Sequence, residues 1–504
     1  MSARSIATRS ARRFGASLAL SAALLLPRAA RAAVAEPSGR EDAAFDMMNY
    51  LTHRGLHDLD DEAWNAYGQV TDIWSMKLGF PAAYSGANSL SNGCARPALC
   101  PFGQELSFTE TATLFVGLRL WPGAQYYVVP EIIAERPLSG LTGLGGVIQN
   151  FELQKQGLST PVPYISRDYL RQTFDLGGEH TQTTSDPMQL GRKDAKRRIV
   201  LTLGNFSVLD FFDKNDTTGD LRKSFFNMAF LTYAAFDFAA DARGYSWGGI
   251  AEIDWDDWAA RVGRMAPPKL PNQLPLDFNV FKHYGDQAEI EHHHTIAGQD
   301  GAVRILGYRN EEVMGRFADA IAVYKANPFE NATNAAASCH DDPYSAGNGN
   351  APDLCWVRRP NVKMGAGVSI EQGITDDLGA FFRGMYSDGQ TEVYSYTSTD
   401  RSLSFGSLLT GRAWHRVRDT VGIGYSAGWI SSEHAQYLGL GGIDGFIGDG
   451  KIHQAAEQVA EVFYSLSMGS SSWFSFDYQR IWNPAYNADR GPVNIFGARI
   501  HAEF

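Results

Sequence analysis

Phe496-Gly497-Ala498-Arg499-Ile500-His501-Ala502-Glu503-Phe504 closes the chain, and its alternation decides the fold. On an extended backbone successive side chains point to opposite sides. Phe496, Ala498, Ile500, Ala502 and Phe504 therefore share one face, and Gly497, Arg499, His501 and Glu503 share the other. The same period recurs upstream. Ala460, Val462, Tyr464, Leu466 and Met468 oppose Glu461, Ser465 and Ser467; after a short turn at Gly469 to Ser472, Phe474, Phe476 and Tyr478 oppose Ser475, Asp477 and Gln479. Val421, Ile423, Tyr425, Ala427 and Trp429 oppose Gly422, Gly424, Ser426 and Gly428, following a tight turn expected at Arg418-Asp419. Further back, Ala251-Ile253-Trp255 and Trp258-Ala260-Val262 flank Asp256-Asp257, and Leu114-Val116-Leu118-Leu120 leads into Trp121-Pro122-Gly123. A strand of a soluble sandwich could alternate in this way. Aromatic residues gathered beside the turns favour a sheet whose outer face meets lipid, where an amphipathic ring suits the headgroup level.

Composition narrows the choice. The chain has 504 residues, 51 of them glycine, with 12% aromatics and 44 Lys+Arg against 56 Asp+Glu. Such a chain is neither disordered nor a helical membrane bundle. Its net charge of −12 disfavours a sequence-independent nucleic-acid binder, which needs a positive surface. Residues 1–35 read as a secretory signal peptide: Arg4, Arg9, Arg12 and Arg13 form the basic start, Phe14 to Leu26 the apolar run, and Ala33-Val34-Ala35 the small residues at the cleavage site. Its removal takes six arginines and no acid, leaving 38 basic and 56 acidic residues and a mature charge of −18. Residues 36–63 then form a short periplasmic N-terminal segment and residues 64–504 the barrel. Beyond Ala35 no stretch offers the ~20 apolar residues of a spanning helix. Two readings remain, a soluble exported protein and an outer-membrane β-barrel.

The spacing of connections supports the barrel. Tight turns fall near residues 121–124, 256–257, 296–301, 374–377, 418–419 and 469–472. Long polar connections fall near 75–106, 134–163, 207–243, 266–285, 311–360, 431–455 and 484–492. Short turns at one end and long loops at the other mark an outer-membrane barrel. The expected fold is all-β, a transmembrane antiparallel barrel of about sixteen strands with both chain ends on the periplasmic side. Phe211 to Arg243 is read as a partly helical loop folded inward to narrow the lumen, because a barrel of this size otherwise keeps a wide water channel. Glu311 to Lys325 is a second helical candidate.

Few residues suggest covalent chemistry. His292-His293-His294 lies in a polar strand, where only an i, i+2 pair shares a face, and Gly439-Leu440-Gly441-Gly442 lacks the strand and helix that would make it a nucleotide loop. No Ser/His/Asp pattern commits to hydrolysis, so the reading carries no enzyme activity, cofactor or metal. Cys94 with Cys100 and Cys339 with Cys355 lie as local pairs in polar loops, and export favours bridging; four cysteines allow three pairings, of which the local one fits best. Closing the Cys339 to Cys355 loop is worth roughly 3 kcal/mol in the entropic model. Charges on strand faces are more informative. Arg167 and Arg171 alternate with Leu170 and Phe174, Arg261 faces away from Val262, and Glu131 shares a face with Tyr127. Most such charges wet a wall; as a site, Glu131, Arg167 and Arg171 would hydrogen-bond sugar hydroxyls while Trp247 offers a flat apolar face to the ring.

Several stretches carry a resemblance. Arg171-Gln172-Thr173-Phe174-Asp175-Leu176-Gly177-Gly178-Glu179, Arg243-Gly244-Tyr245-Ser246-Trp247-Gly248, Ile447-Gly448-Asp449-Gly450 and the tail Asp477 to Pro484 with Asp489-Arg490-Gly491 resemble the carbohydrate-selective porins of the OprB type. The resemblance runs from about Trp64 to the end. It implies a sixteen-stranded channel in the outer membrane of a Gram-negative bacterium, passive diffusion of mono- or oligosaccharides, and Phe504 as the terminal aromatic read by the barrel-assembly machinery. The assembly would be a monomer or a homotrimer in outer-membrane lipid. The insert from about Asn327 to Pro360 and the Cys94 to Cys100 segment exceed a minimal member. The alternatives are a general cation-preferring porin, a barrel enzyme such as a lipid hydrolase, and a soluble polysaccharide-binding sandwich.

Overall fold

The computed structural model describes residues 46–93, 104–153, 158–339 and 350–504. The expected signal peptide and the Cys94–Cys100 pair lie outside the described residues. Sixteen strands close into one barrel. In chain order they are β1 (Trp64–Lys77), β2 (Glu105–Trp121), β3 (Ala124–Arg136), β4 (Val162–Thr183), β5 (Arg192–Phe206), β6 (Ser246–Trp255), β7 (Trp258–Met265), β8 (Tyr284–Ile296), β9 (Gln299–Met314), β10 (Arg359–Gly373), β11 (Leu378–Ser387), β12 (Arg401–Gly411), β13 (Arg416–Trp429), β14 (Glu457–Ser467), β15 (Ser472–Trp482) and β16 (Val493–Glu503). Every pair is antiparallel, and β1 joins β16 from Gln69 opposite Glu503 to Lys77 opposite Ile495. Closure leaves no sheet edge with unpaired backbone groups.

The alternation of the sequence becomes the two faces of the wall. On β16 Phe496 is exposed, whereas Arg499 and His501 are at most 1% exposed. On β14 and β15 Val462 and Phe476 point out, and Glu461, Ser465, Ser475 and Gln479 are buried. Leu118, Leu203, Ile253, Val262, Ile290, Ile305 and Ile423 all lie on the outside, and Arg304 and Arg383 lie within. This is the inverse of a protein dissolved in water, and it fits an apolar belt around a polar lumen. Among the described residues no helix is long and apolar enough to cross a membrane; the strands do the crossing. Trp121, Trp255 and Trp258 sit exposed beside the tight turns, in keeping with an interfacial girdle.

Among the described residues four helices lie outside the wall: α1 (Met47–His53) ahead of β1, and α2 (Phe317–Ala326), α3 (Pro328–Ser338) and α4 (Ser432–Gly439) in the connections. The helix expected over Glu311 to Lys325 is corrected. Residues 311–314 finish β9, where Glu312 and Met314 pair with Asn361 and Arg359 of β10, and α2 begins only at Phe317. Ladder bonds and in–out alternation outweigh the weak helical period there. The turn expected at Arg418-Asp419 is also corrected, because both residues lie inside β13. The reversal falls at Arg412–Trp414 with His415 left-handed at φ 61°, after a bulge at Thr410/Gly411. Two connections escaped the sequence reading, residues 184–191 between β4 and β5 and residues 388–400 between β11 and β12. A disulfide joins Cys339 to Cys355 with Cα atoms 5.8 Å apart.

The connection 207–245 leaves the loop end of the wall and packs against inward-facing residues around the barrel. It carries two short 3-10 turns, Val208–Asp210 and Met228–Phe230, and its Phe225, Phe226, Phe230, Phe236 and Phe238 are at most 2% exposed. A loop with little regular structure cannot satisfy its own backbone. Wall carboxylates do this instead. Glu289 accepts from Asp213 N (2.8 Å), Glu371 from Asp216 N (2.7 Å), and Glu461 from Phe226 N (2.5 Å) and Asn227 N (3.0 Å). Arg383 of β11 returns an ion pair to Asp213 (2.9 Å), and Lys363 of β10 one to Asp237 (2.9 Å). Three acidic residues of the wall, Glu289, Glu371 and Glu461, therefore hold the loop in place.

Candidate functional site

Among the described residues, two cavities share three lining residues, Arg167, Asp220 and Arg222. The larger, about 710 Å³, lies toward the tight-turn end, bounded by Asp186 and Met188 of one turn and Ser470 and Ser471 of another. The smaller, about 210 Å³, lies toward the loop end and is lined by Leu209, Phe238, Asp241, Tyr245 and Tyr396. Arg167 is supplied by β4, Asp220 and Arg222 by the inward loop.

The two arginines shared by the cavities are held by acids. Arg167 donates from Nε (2.8 Å) and Nη2 (2.7 Å) to the two carboxylate oxygens of Asp210, and its guanidinium lies 5.1 Å from the Tyr245 ring centre. The planar fork fixes direction as well as distance. Arg222 donates to Glu152 Oε1 (2.9 Å) and lies 3.6 Å from Glu131 Oε2. Burial lowers the Arg222 pKa, but Glu152 and Glu131 outweigh it and raise it above the ordinary arginine value. Glu131 also accepts from Thr113 Oγ1 (2.9 Å) and from the Tyr164 hydroxyl, and Glu152 from Thr111 Oγ1 (2.8 Å). Arg243 stacks over Tyr164 with 4.3 Å between guanidinium and ring centre. Next to it, burial pushes the Asp241 carboxyl up to about 6 although it accepts from Arg243 N (2.9 Å) and Tyr245 N (3.1 Å). The rim thus alternates guanidinium, carboxylate and phenol, with the charges locally compensated.

Of the residues singled out in the sequence, Glu131 and Arg167 lie here. Arg171 points inward as well but lines neither cavity. Its guanidinium sits among the rings of Tyr127 (5.3 Å), Tyr169 (5.6 Å) and Phe211 (5.7 Å), where it braces the base of the loop. The luminal placement of Trp247 is corrected: it is 44% exposed, whereas Ser246 and Ile250 of the opposite phase are at most 5% exposed. β6 pairs Ser246 with Phe206 and Trp247 with Asn205, and this register turns the indole to the outside. Tyr245, two residues earlier, lines the cavity together with Phe151, Phe238 and Tyr396. Asp210, Asp220, Arg222, Glu152 and Tyr164 were missed by sequence reasoning. The local signal for the loop residues was the charged run Asp220-Leu221-Arg222-Lys223 directly ahead of the apolar stretch from Phe225 to Phe236.

A closed sixteen-stranded barrel with an apolar outside, a polar inside and a loop packed against its inner wall defines a porin. The chain belongs to the OprB family of carbohydrate-selective porins, whose family model matches residues 106–504. Sequence comparison with curated proteins returns no significant match. Among solved structures, Pseudomonas putida OprB is similar in fold, with a TM-score of 0.62, 13% identity, and coverage of 90% of this chain and 96% of that one. The outer membrane channel DcaP of Acinetobacter baumannii aligns with a TM-score of 0.44 and 10% identity over 88% of this chain and 97% of its own.

Proposed function

We propose that the protein is a passive outer-membrane channel for mono- or oligosaccharides, and that solute passes between the cavities at Arg167, Asp220 and Arg222. The observation that carries this reading is the sharing of those three residues by both cavities. Each arginine is already neutralised by a carboxylate, so the rim offers directed donors and acceptors without a strong net field. Hydroxyl groups can exchange for water at such a rim, while a bare ion gains little. Binding must stay weak, since a site that holds its ligand tightly cannot release it on the far side. Tyr245 supplies the flat ring that the sequence reading had placed at Trp247. Membership of the family supports a location in the outer membrane of a Gram-negative bacterium, with the tight turns toward the periplasm.

The test is single-channel recording in planar bilayers with a panel of neutral sugars. Arg222→Ala is expected to raise ion conductance and weaken block by sugar. A channel that conducts ions but shows no sugar block in the parent protein would remove the carbohydrate reading and leave a general porin.

A further inference from the structure

Helix α1 precedes the stretch matched to the family, and its position at the mouth of the larger cavity gives it a role in transport. We infer that α1 forms the lip of the conduction path on the tight-turn side and takes part in setting which solutes leave the eyelet. This inference rests on the reading of the two cavities as one path.

Three observations place it there. First, Asp46 and Asn49 line the 710 Å³ cavity together with Arg222, Lys223 and Glu503, so the helix and the eyelet bound the same space. Second, the helix is docked. Met48 is fully buried and its Sδ accepts from the backbone N of Ala66 on β1 (3.4 Å), while Met47 and Tyr50 on the other side are 43% and 57% exposed. Third, the polar face is fixed locally. Asp46 accepts from Asn49 N (3.0 Å) and from Asn49 Nδ2 (2.7 Å), which caps the helix and holds both side chains in one orientation. Seven residues do not make a stable helix alone in water. Its order comes from Met48 and this cap, and it directs polar groups at the cavity.

The segment that follows is tied down as well. Glu62 accepts from Gly191 N (2.6 Å) in the turn between β4 and β5 and meets His57 Nε2 at 3.0 Å. Drift of α1 is therefore opposed by the docked Met48 and by the anchored segment that follows it. Asp46 adds an acidic group to a mouth that also carries Asp186, Asp220 and Glu503 opposite Arg222, Lys223 and Arg418. A solute that has passed the eyelet meets this mixed-charge rim before it is free.

The experiment is site-directed modification in the full-length channel. Asn49→Cys is reconstituted in planar bilayers and treated on the tight-turn side with a charged methanethiosulfonate reagent, with the parent chain treated alike to account for native cysteines. The expected result is a loss of current in the variant and none in the parent. Unchanged current with modification confirmed by mass, or a thiol that fails to react, overturns the proposal. A second variant, Met48→Asp, releases the helix without deleting it. With the barrel shown intact by its heat-dependent gel migration, it should raise conductance. Conductance equal to that of the parent would refute the lip. Sugar block in the parent is recorded in the same bilayers, so a failure of the carbohydrate reading appears separately from a failure of this one.

Discussion

Glu461 offers the sharpest test of how the loop is held. Its two carboxylate oxygens accept from Phe226 N (2.5 Å) and Asn227 N (3.0 Å), and both residues are fully buried. Glu461→Ala removes both acceptors and leaves two buried N–H groups unpaired, at a cost of about 1–3 kcal/mol each, or about 2–6 kcal/mol for docking of the loop. Other contacts remain: Asn227 still donates to Val147 O (2.8 Å) and Gln479 Oε1 (2.9 Å), and Arg499 to Ser224 O (2.9 Å). The barrel ladder is untouched, so the loss is confined to the loop. Because Arg222 lies four residues from Phe226, an unhooked apex draws it away from Glu131 and Glu152. The expected phenotype is a larger, noisier single-channel conductance with weaker sugar block, and trypsin cleavage after Arg222 or Lys223 in a barrel that still migrates as folded. Glu461→Gln keeps one acceptor and should fall between. A protease-resistant loop with parental conductance in Glu461→Ala would refute the view that wall carboxylates position the eyelet.

Further expectations concern charge and orientation. Burial raises the Asp241 pKa to about 6, so its carboxyl gains a proton as pH falls through that value; reversal potentials should then shift toward anions, and Asp241→Asn should abolish the shift. His434 of α4 is buried between Asp400 Oδ2 and Asp444 Oδ2, each 3.1 Å away. Burial lowers its pKa, but the two carboxylates prevail and raise it to about 9. A raised histidine stabilises fully below its unfolded value near 6.5 and loses that contribution as pH rises through about 9, on the order of 3 kcal/mol. Hydrogen exchange in residues 430–456 should therefore quicken between those pH values, and be fast throughout in His434→Ala. Trp247→Ala, on the outer face, should leave sugar block unchanged; a weakened block would return the indole to the lumen.

The barrel was legible because its cause is local. Polarity alternates residue by residue, and Phe496 through Phe504 or Leu114 through Leu120 reveal which side chains meet lipid without knowledge of any neighbour. Turn chemistry was read well at Asp256-Asp257 and failed at Arg418-Asp419, where pairing with β12 and a bulge moved the reversal by several residues. The strand phase was also legible for Trp247, which shares the parity of Ala251, Ile253 and Trp255; its pairing with Asn205 of β5 carries that outward phase to the start of β6.

By itself, then, the sequence determined a closed sheet with an apolar outside, a charged inside and one long excursion between β5 and β6. Only the tertiary structure decided which charges meet inside the barrel. Arg167 meets Asp210 across 43 residues and Arg222 meets Glu152 across 70, while the loop that carries Asp210 and Arg222 is seated by Glu461, 235 residues from Phe226. That loop follows no period of two or of 3.6, so nothing in its own residues gives its path. The path follows from the need of its buried backbone for partners, and those partners are carboxylates on strands that come near it only when the barrel closes.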